Sequence, residues 1–314
     1  PFVADVAGVS LRGWRATFQN AGHILGAASV LLEVGGRRIL FSGDLGRPDD
    51  LLMHAPDAPP AADTVLIEST YGDRSHPPGT VLDELGPALA RLAARGGVAV
   101  VPVFAVGRAQ TVMYAIAQLK ARGEVPSGLR VYLDSPMAVS ATELFQNHLS
   151  ETRINRSELH AMARGTTLVH SVDESKALAR LHGPRVILSA SGMATGGRVL
   201  HHLALHAGDH RNMIILTGHQ AGGTRGARIA AGEKTIRIHG RDVAIRAEVV
   251  QLATASAHAD GDQLVAWLRS MPSTPRQVYV VHGEMAAADM LRQRIDHALG
   301  WPVEVPEHGD SVTL

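Results

Sequence analysis

Five apolar runs in this chain stop at a histidine or an acid set among Gly, Ser or Thr: NAGHILGA at His23, LFSGDLGR at Asp44, LIESTYGDR at Glu68, ATASAHAD at His258 and YVVHGE at His282. Imidazole and carboxylate are the side chains that exchange protons and ligate metal ions such as zinc. Taken singly, each has a plainer reading: an acid after a strand forms a turn or caps a helix, and a lone histidine is commonly a hydrogen-bonded structural residue. The repetition of one grammar at five places is what asks for a common explanation.

Composition narrows the chemistry. The 314 residues contain no Cys, which excludes a thiol nucleophile, a CxxC redox site, a Cys-ligated zinc finger and a disulfide scaffold. Any metal must sit on His and carboxylate. Lys+Arg and Asp+Glu both number 30, so no global basic field marks a nucleic-acid or membrane surface, although a local patch stays open. Lys occurs only at Lys120, Lys176 and Lys234; coding bias explains the excess of Arg, with Arg as the better phosphate fork the alternative. No apolar run approaches the ~18 to 20 residues of a membrane span, and the opening PFVADVAGVS lacks the charge-then-apolar pattern of a leader. The reading is a cytoplasmic protein with no membrane partner.

The elements that must position these residues follow from periodicity. WRATFQNA, SVLLEV and RRILFSGD read as strands, the last two joined by a Gly35-Gly36 hairpin turn, and TVLIEST as another. From Val81 strands alternate with amphipathic helices: VAVVPV then TVMYAIAQLKAR, LRVYLDSPMA then SATELFQNHL, PRVILSASGMATGGR then RVLHHLALH, and NMIILTGHQAGGTRG. That alternation predicts a parallel sheet covered on both faces, with its ligand crevice at the strand C-termini. The loops there carry Gly107, Ser189, Ser191, Gly192, Gly196, Gly197, Gly222 and Gly223. The last stretch brings the helix DQLVAWLRSM, the strand QVYVVHGE, the helix AAADMLRQRIDHAL and an edge-like WPVEVPE.

Together, and in order over essentially the whole chain, these stretches resemble the metallo-β-lactamase-fold nucleases of the β-CASP family, which includes the endonuclease subunit of the cleavage and polyadenylation machinery. GHILGAAS and SGDLGR look like the superfamily's third and fourth metal motifs, and IESTYGDR like motif A. PVFAVGRAQ, YLDSPMA, SASGMATGGRVLHHL and GHQAGGTRG match the β-CASP insert, while SAHAD and VHGE look like motifs B and C. The resemblance implies an α/β fold: a metallo-β-lactamase αββα sandwich over residues 1–74 and 255–314, with a parallel-sheet β-CASP domain inserted at 75–254. It implies a two-zinc ribonuclease that hydrolyses RNA phosphodiesters between the two domains, endonucleolytically and in some relatives from an end, leaving phosphate on the 5′ end of the downstream product. It also implies a homodimer.

Carried over residue by residue, the resemblance makes His23 a ligand of the first zinc, Asp44 the carboxylate bridging both, and His282 a ligand of the second. Zinc on such ligands brings a bound water to a pKa of about 7. His258 becomes the general acid for the leaving ribose oxygen, with Glu68 orienting it and raising its pKa. The histidine at motif C leans the reading toward RNA. Ser191, Gly192, Arg198, Arg225 and Ser256 are the expected substrate contacts, because strand-to-helix turns expose backbone N–H groups to phosphate. The plainer reading of the glycines is that they permit tight turns. With aromatics at 4%, a broad base-stacking platform is not expected. His202 and His206 share a helix face and could ligate a metal, but no Glu of an H-E-x-x-H site accompanies them, so a structural role is expected. His219 reads as a packing ring.

In one respect the chain departs from the family pattern. The family's H-x-H-x-D-H motif, which supplies four ligands, has no counterpart, since no H-x-H occurs in the 314 residues. Three recovered ligands do not satisfy two zincs. Two accounts stand: a chain lacking its N-terminal segment, or a catalytically incomplete homologue acting as an RNA-binding or partner module. The survival of all five chemical residues favours the first.

Overall fold

The computed structural model describes residues 9–11 and 13–312, so the opening PFVADVAG lies outside the described residues. Contacts divide the chain into two compact units, residues 1–76 with 257–314, and residues 77–256. Unit 1 begins with β1 (Val9–Leu11), β2 (Trp14–Asn20), β3 (Ala28–Val34), β4 (Arg37–Phe41) and β5 (Thr64–Ile67). β1 to β4 pair antiparallel in sequence order. The β3–β4 turn is Gly35-Gly36, with φ of 56° and 77°, the left-handed conformation that matches strand twist in a two-residue hairpin. β5 then pairs parallel to β4.

Unit 2 runs α1 (Val81–Ala94), β6 (Val98–Pro102), α2 (Arg108–Ala121), β7 (Arg130–Leu133), α3 (Pro136–Asn147), α4 (Arg156–Arg164), β8 (Thr167–Leu168), α5 (Val172–Leu178), β9 (Arg185–Ser189), α6 (Arg198–His206), β10 (Met213–Thr217), α7 (Arg225–Ala230), β11 (Thr235–Ile238), β12 (Arg241–Ala244) and β13 (Glu248–Leu252). Its six-stranded sheet has the order β13-β10-β6-β9-β7-β8, and every pair is parallel. VAVVP, RVILS and MIILT are buried at every position, as strands covered on both faces must be. Val100, Ile214 and Leu216 pack on Val199, Leu200 and Leu203 of α6 and Ile229 of α7. The alternate residues Ala99 and Val101 are equally dry, which leaves that face to α1 and α2, packed on each other. Ser189 differs from expectation. It closes β9 instead of lining a crevice, fully buried, and its Oγ donates to the Asp134 carbonyl at 2.9 Å.

His202 and His206 stack in parallel on α6, ring centroids 6.5 Å apart, and both are buried. His202 Nε2 bonds Asp134 Oδ2 at 2.6 Å, whereas His206 Nε2 is buried with no hydrogen-bond partner among the described residues. Burial, then the charges of Arg185 and His202, push His206 from the ordinary 6.5 down to about 4. Between those values the unfolded chain binds the proton and the folded chain does not, so stability falls as pH drops, by up to ~1.4 kcal/mol per pH unit for one proton. Urea midpoints for unit 2 should therefore fall from pH 7 to pH 5, and His206→Leu should flatten that fall. An unchanged slope in the variant would remove His206 as its source.

The chain re-enters unit 1 with α8 (Gly261–Arg269), β14 (Gln277–Val280), α9 (Met285–Leu299) and β15 (Val303–Glu304). β14 pairs parallel to β5 and β15 to β14, completing a seven-stranded sheet with β15 at its edge. Leu31, Leu40, Val65, Ile67, Val278 and Val280 face Leu264 and Leu268 of α8 and Leu291 and Ile295 of α9. The opposite face carries Trp14, Val34 and Phe41, each more than a third exposed, the side that an αββα sandwich covers with its second sheet. No helix among the described residues is long and apolar enough to cross a membrane.

Candidate metal and proton-transfer site

β2, β4, β5 and β14 all run in one direction, because β3 reverses the chain twice and the later pairs are parallel. Their C-terminal ends therefore open on one edge of the sheet, and the residues following them are His23, Asp44, Glu68 and His282. His258 reaches the same edge from the segment before α8. Arg47 N–H donates to the Ala257 carbonyl at 3.2 Å and Ala259 N–H to the Leu45 carbonyl at 2.8 Å. Glycine makes this approach feasible. A Cβ at Gly46 would lie 1.9 Å from the Gly22 carbonyl oxygen and 2.7 Å from the His23 nitrogen, so any side chain there would displace His23.

Glu68 is 1% exposed and held from several sides. Its Oε1 accepts the Leu45 N–H at 2.6 Å, its Oε2 the Thr70 N–H at 3.3 Å, and its own N–H donates to Ser42 Oγ at 3.0 Å. Both carboxylate oxygens stand 3.2 Å from His258 Nδ1. The His258 and His23 rings lie 4.2 Å apart, tilted by 42°. One ligand atom from each of His23, Asp44 and His258 falls within 4.8 Å of the others, and His282 Nε2 is 3.1 Å from Asp44 Oδ1. His282 adopts a left-handed φ of 52°, uncommon for a residue with a side chain. Its carbonyl accepts the Ser69 N–H at 3.2 Å.

These side chains suit a zinc ion. His23 Nδ1 is buried with no hydrogen-bond partner among the described residues, which in a folded protein needs a reason. Burial and then His258 push His23 down to about 4, against the pull of Asp44 and Glu68. The imidazole is therefore neutral at physiological pH, the form that binds a metal.

His76, two residues beyond the IESTYGDR stretch, also belongs to the site and was not among the expected residues. Its Nε2 meets the His258 carbonyl at 2.9 Å and its N–H donates to Asp260 Oδ2 at 2.6 Å, while Asp260 Oδ1 caps α8 through the Gln263 N–H at 2.9 Å. Burial holds His76 below the ordinary imidazole value, so the ring stays neutral and one nitrogen can donate to that carbonyl. His76 closes the same run that carries Glu68, eight residues on, which was its one signal.

The expected substrate contacts Ser191, Gly192, Arg198, Arg225 and Ser256 belong to unit 2. Ser191 Oγ bonds Thr195 Oγ1 at 2.9 Å, Gly192 is buried against Phe104, and Ser256 is buried. Arg198 Nη1 donates to Asp134 Oδ1 at 2.7 Å. Arg225 donates through Nε to the Arg237 carbonyl at 2.7 Å and through Nη1 to the Thr195 carbonyl at 3.2 Å. The Arg225 guanidinium thus braces the loop over residues 190–197, whereas that of Arg198 is turned to Asp134 and the His170 carbonyl.

Comparison with known proteins agrees with this architecture. Residues 109–229 match the model of the Beta-Casp domain, and residues 242–306 that of the Zn-dependent metallo-hydrolase RNA specificity domain. Ribonuclease TTHA0252 of Thermus thermophilus is 38% identical over 95% of this chain and 69% of its own length. The RNase J-like protein of Methanocaldococcus jannaschii is 34% identical over 93% and 69%. A crystal structure of a protein of unknown function from Enterococcus faecalis V583 shares the fold with a TM-score of 0.50 at 13% identity, over 98% of this chain and 66% of that one. The chain thus spans about two thirds of the length of each. It is a member of the β-CASP family of metallo-β-lactamase-fold nucleases.

Proposed function

We propose that this chain carries the catalytic centre of a zinc-dependent ribonuclease, and that His23, Asp44 and His282 are among the ligands of two zinc ions. The observation that carries the reading is the convergence of His23, Asp44 and His258 at one sheet edge, with the buried Glu68 behind His258. When bound, zinc would supply Lewis acidity toward a phosphodiester and an activated water. Glu68 accepts from His258 Nδ1–H, which fixes the ring and leaves Nε2 as the nitrogen that takes up a proton to form the imidazolium and then gives it away. Proton donation from Nε2 to the leaving ribose oxygen is the role we assign to His258, and His76 steadies its backbone. Arg198, Arg225, Ser191, Gly192 and Ser256 shape the surface along which the RNA backbone runs.

The test uses the intact protein with an unstructured, end-labelled RNA. Cleavage leaving 5′-phosphorylated downstream products should stop after chelation and return with added zinc, and native mass spectrometry should show two zinc ions per site. The same spectrum reads whether two chains pair, which belongs to this proposal. Zinc-loaded protein that binds RNA without cutting it would overturn the nuclease reading.

A further inference from the structure

The parallel sheet of unit 2 contains a point where the connections diverge. After β6 the chain passes to α2 and on to β7, whereas after β9 and β10 it passes to α6 and α7 on the face beneath Val100 and Ile214. Such divergence opens a crevice at the strand C-termini, where ligands of α/β sheets bind. Phe104 stands there, two residues past the end of β6 and 44% exposed. Its position is held: Val103 N–H donates to the Ser189 carbonyl at 3.1 Å, and the Phe104 carbonyl accepts the Ala109 N–H at 3.2 Å. Its ring is held as well. A Cβ on Gly192 would lie 2.8 and 2.9 Å from ring atoms Cδ2 and Cε2, so the bare glycine backbone packs directly on the phenyl group. Gln220 Nε2 in turn donates to the Gly192 carbonyl at 3.3 Å.

The surrounding loops are small-chained. Residues 103–107, 190–197 and 218–223 read VFAVG, ASGMATGG and GHQAGG, so Phe104 and His219 are their sole rings. An apolar ring with one side braced and almost half its surface in water adds little to a core. It offers a planar, pre-oriented surface. We propose that Phe104 is a stacking site for one unpaired nucleobase of a single-stranded RNA, an inference that rests on the ribonuclease reading. Stacking of this kind tolerates any base, because every base has a π face. It also differs from the expectation of backbone contact alone: one ring suffices for one base without any broad platform.

The experiment measures equilibrium binding of a labelled oligoadenylate, and of the same backbone made abasic, to the intact zinc-loaded protein carrying His258→Ala so that neither probe is cut. Adding Phe104→Leu should weaken oligoadenylate binding by about 5- to 150-fold, the range for loss of one stacked base, and leave abasic binding unchanged. Phe104→Trp should restore it. If the parent binds RNA and Phe104→Leu weakens neither probe, or both equally, the stacking site is wrong and the ribonuclease reading stands. If the parent binds neither probe, both fall.

Discussion

Replacing His258 by alanine in the intact protein is expected to slow single-turnover cleavage of an unstructured RNA by roughly 10²- to 10⁴-fold, the usual range for a positioned acid or base. The bound zinc should be unaffected. That second readout matters because the geometry also puts a His258 nitrogen within 4.8 Å of ligand atoms on His23 and Asp44. A ligand role predicts loss of metal in the variant, and a proton-donor role does not. Asp44→Ala is the contrast, losing metal and activity together. Glu68→Gln should resemble His258→Ala in rate but lose stability too. Each carboxylate oxygen already accepts a backbone N–H, from Leu45 and from Thr70, so an amide nitrogen in either place would face a donor with a donor. Cleavage by His258→Ala at the wild-type rate would end the assignment.

What was legible in the sequence was the set of chain positions where apolar runs stop. In a sheet whose strands share a direction, those stops fall on one edge, so His23, Asp44, Glu68 and His282 could be read as neighbours although 259 positions separate the outermost two. The parallel sheet of unit 2 was legible for the same reason, its strands being apolar throughout. Shorter elements were passed over. α4 and α5 carry capping boxes, Asn155 with Glu158 and Ser171 with Glu174, which were readable signals. The β11–β12 hairpin turns on His239-Gly240 and lacks the Asn-Gly that announces such a turn. The occupation of Arg198 and Arg225 was not legible at all. Arg198 is paired with the Asp134 carboxylate, 64 residues away, and Arg225 is hydrogen-bonded to carbonyls about 30 and 12 residues away, and no local pattern encodes such pairings.

Asp134 is where the second large effect should appear. The side chain is fully buried at the end of β7 and accepts from Arg198 Nη1 at 2.7 Å, His202 Nε2 at 2.6 Å and Ser175 Oγ. Burial alone would raise its pKa, but hydrogen bonds from His202, Ser175 and Arg198 outweigh that and hold it below the ordinary value. It is therefore the counter-ion for a group of donors on α5 and α6. Asp134→Ala removes the acceptor of all three donors at once, leaving the buried His202 imidazole without that partner and the Arg198 guanidinium with the His170 carbonyl but no counter-charge. Breaking a buried pair from one side costs ~3–5 kcal/mol, and unit 2 should lose about that much in urea unfolding. Asp134→Asn, which still accepts but carries no charge, should lose less. A loss under ~1 kcal/mol for alanine would mean that water or a shifted side chain replaces the carboxylate. The effect should also reach the RNA. Arg198 is the first residue of α6 and follows the loop over residues 190–197, so weakening its anchor is expected to loosen the loop whose Gly192 backbone packs on Phe104. RNA affinity should then drop in Asp134→Asn even where the protein stays folded, and by less on the abasic backbone than on oligoadenylate.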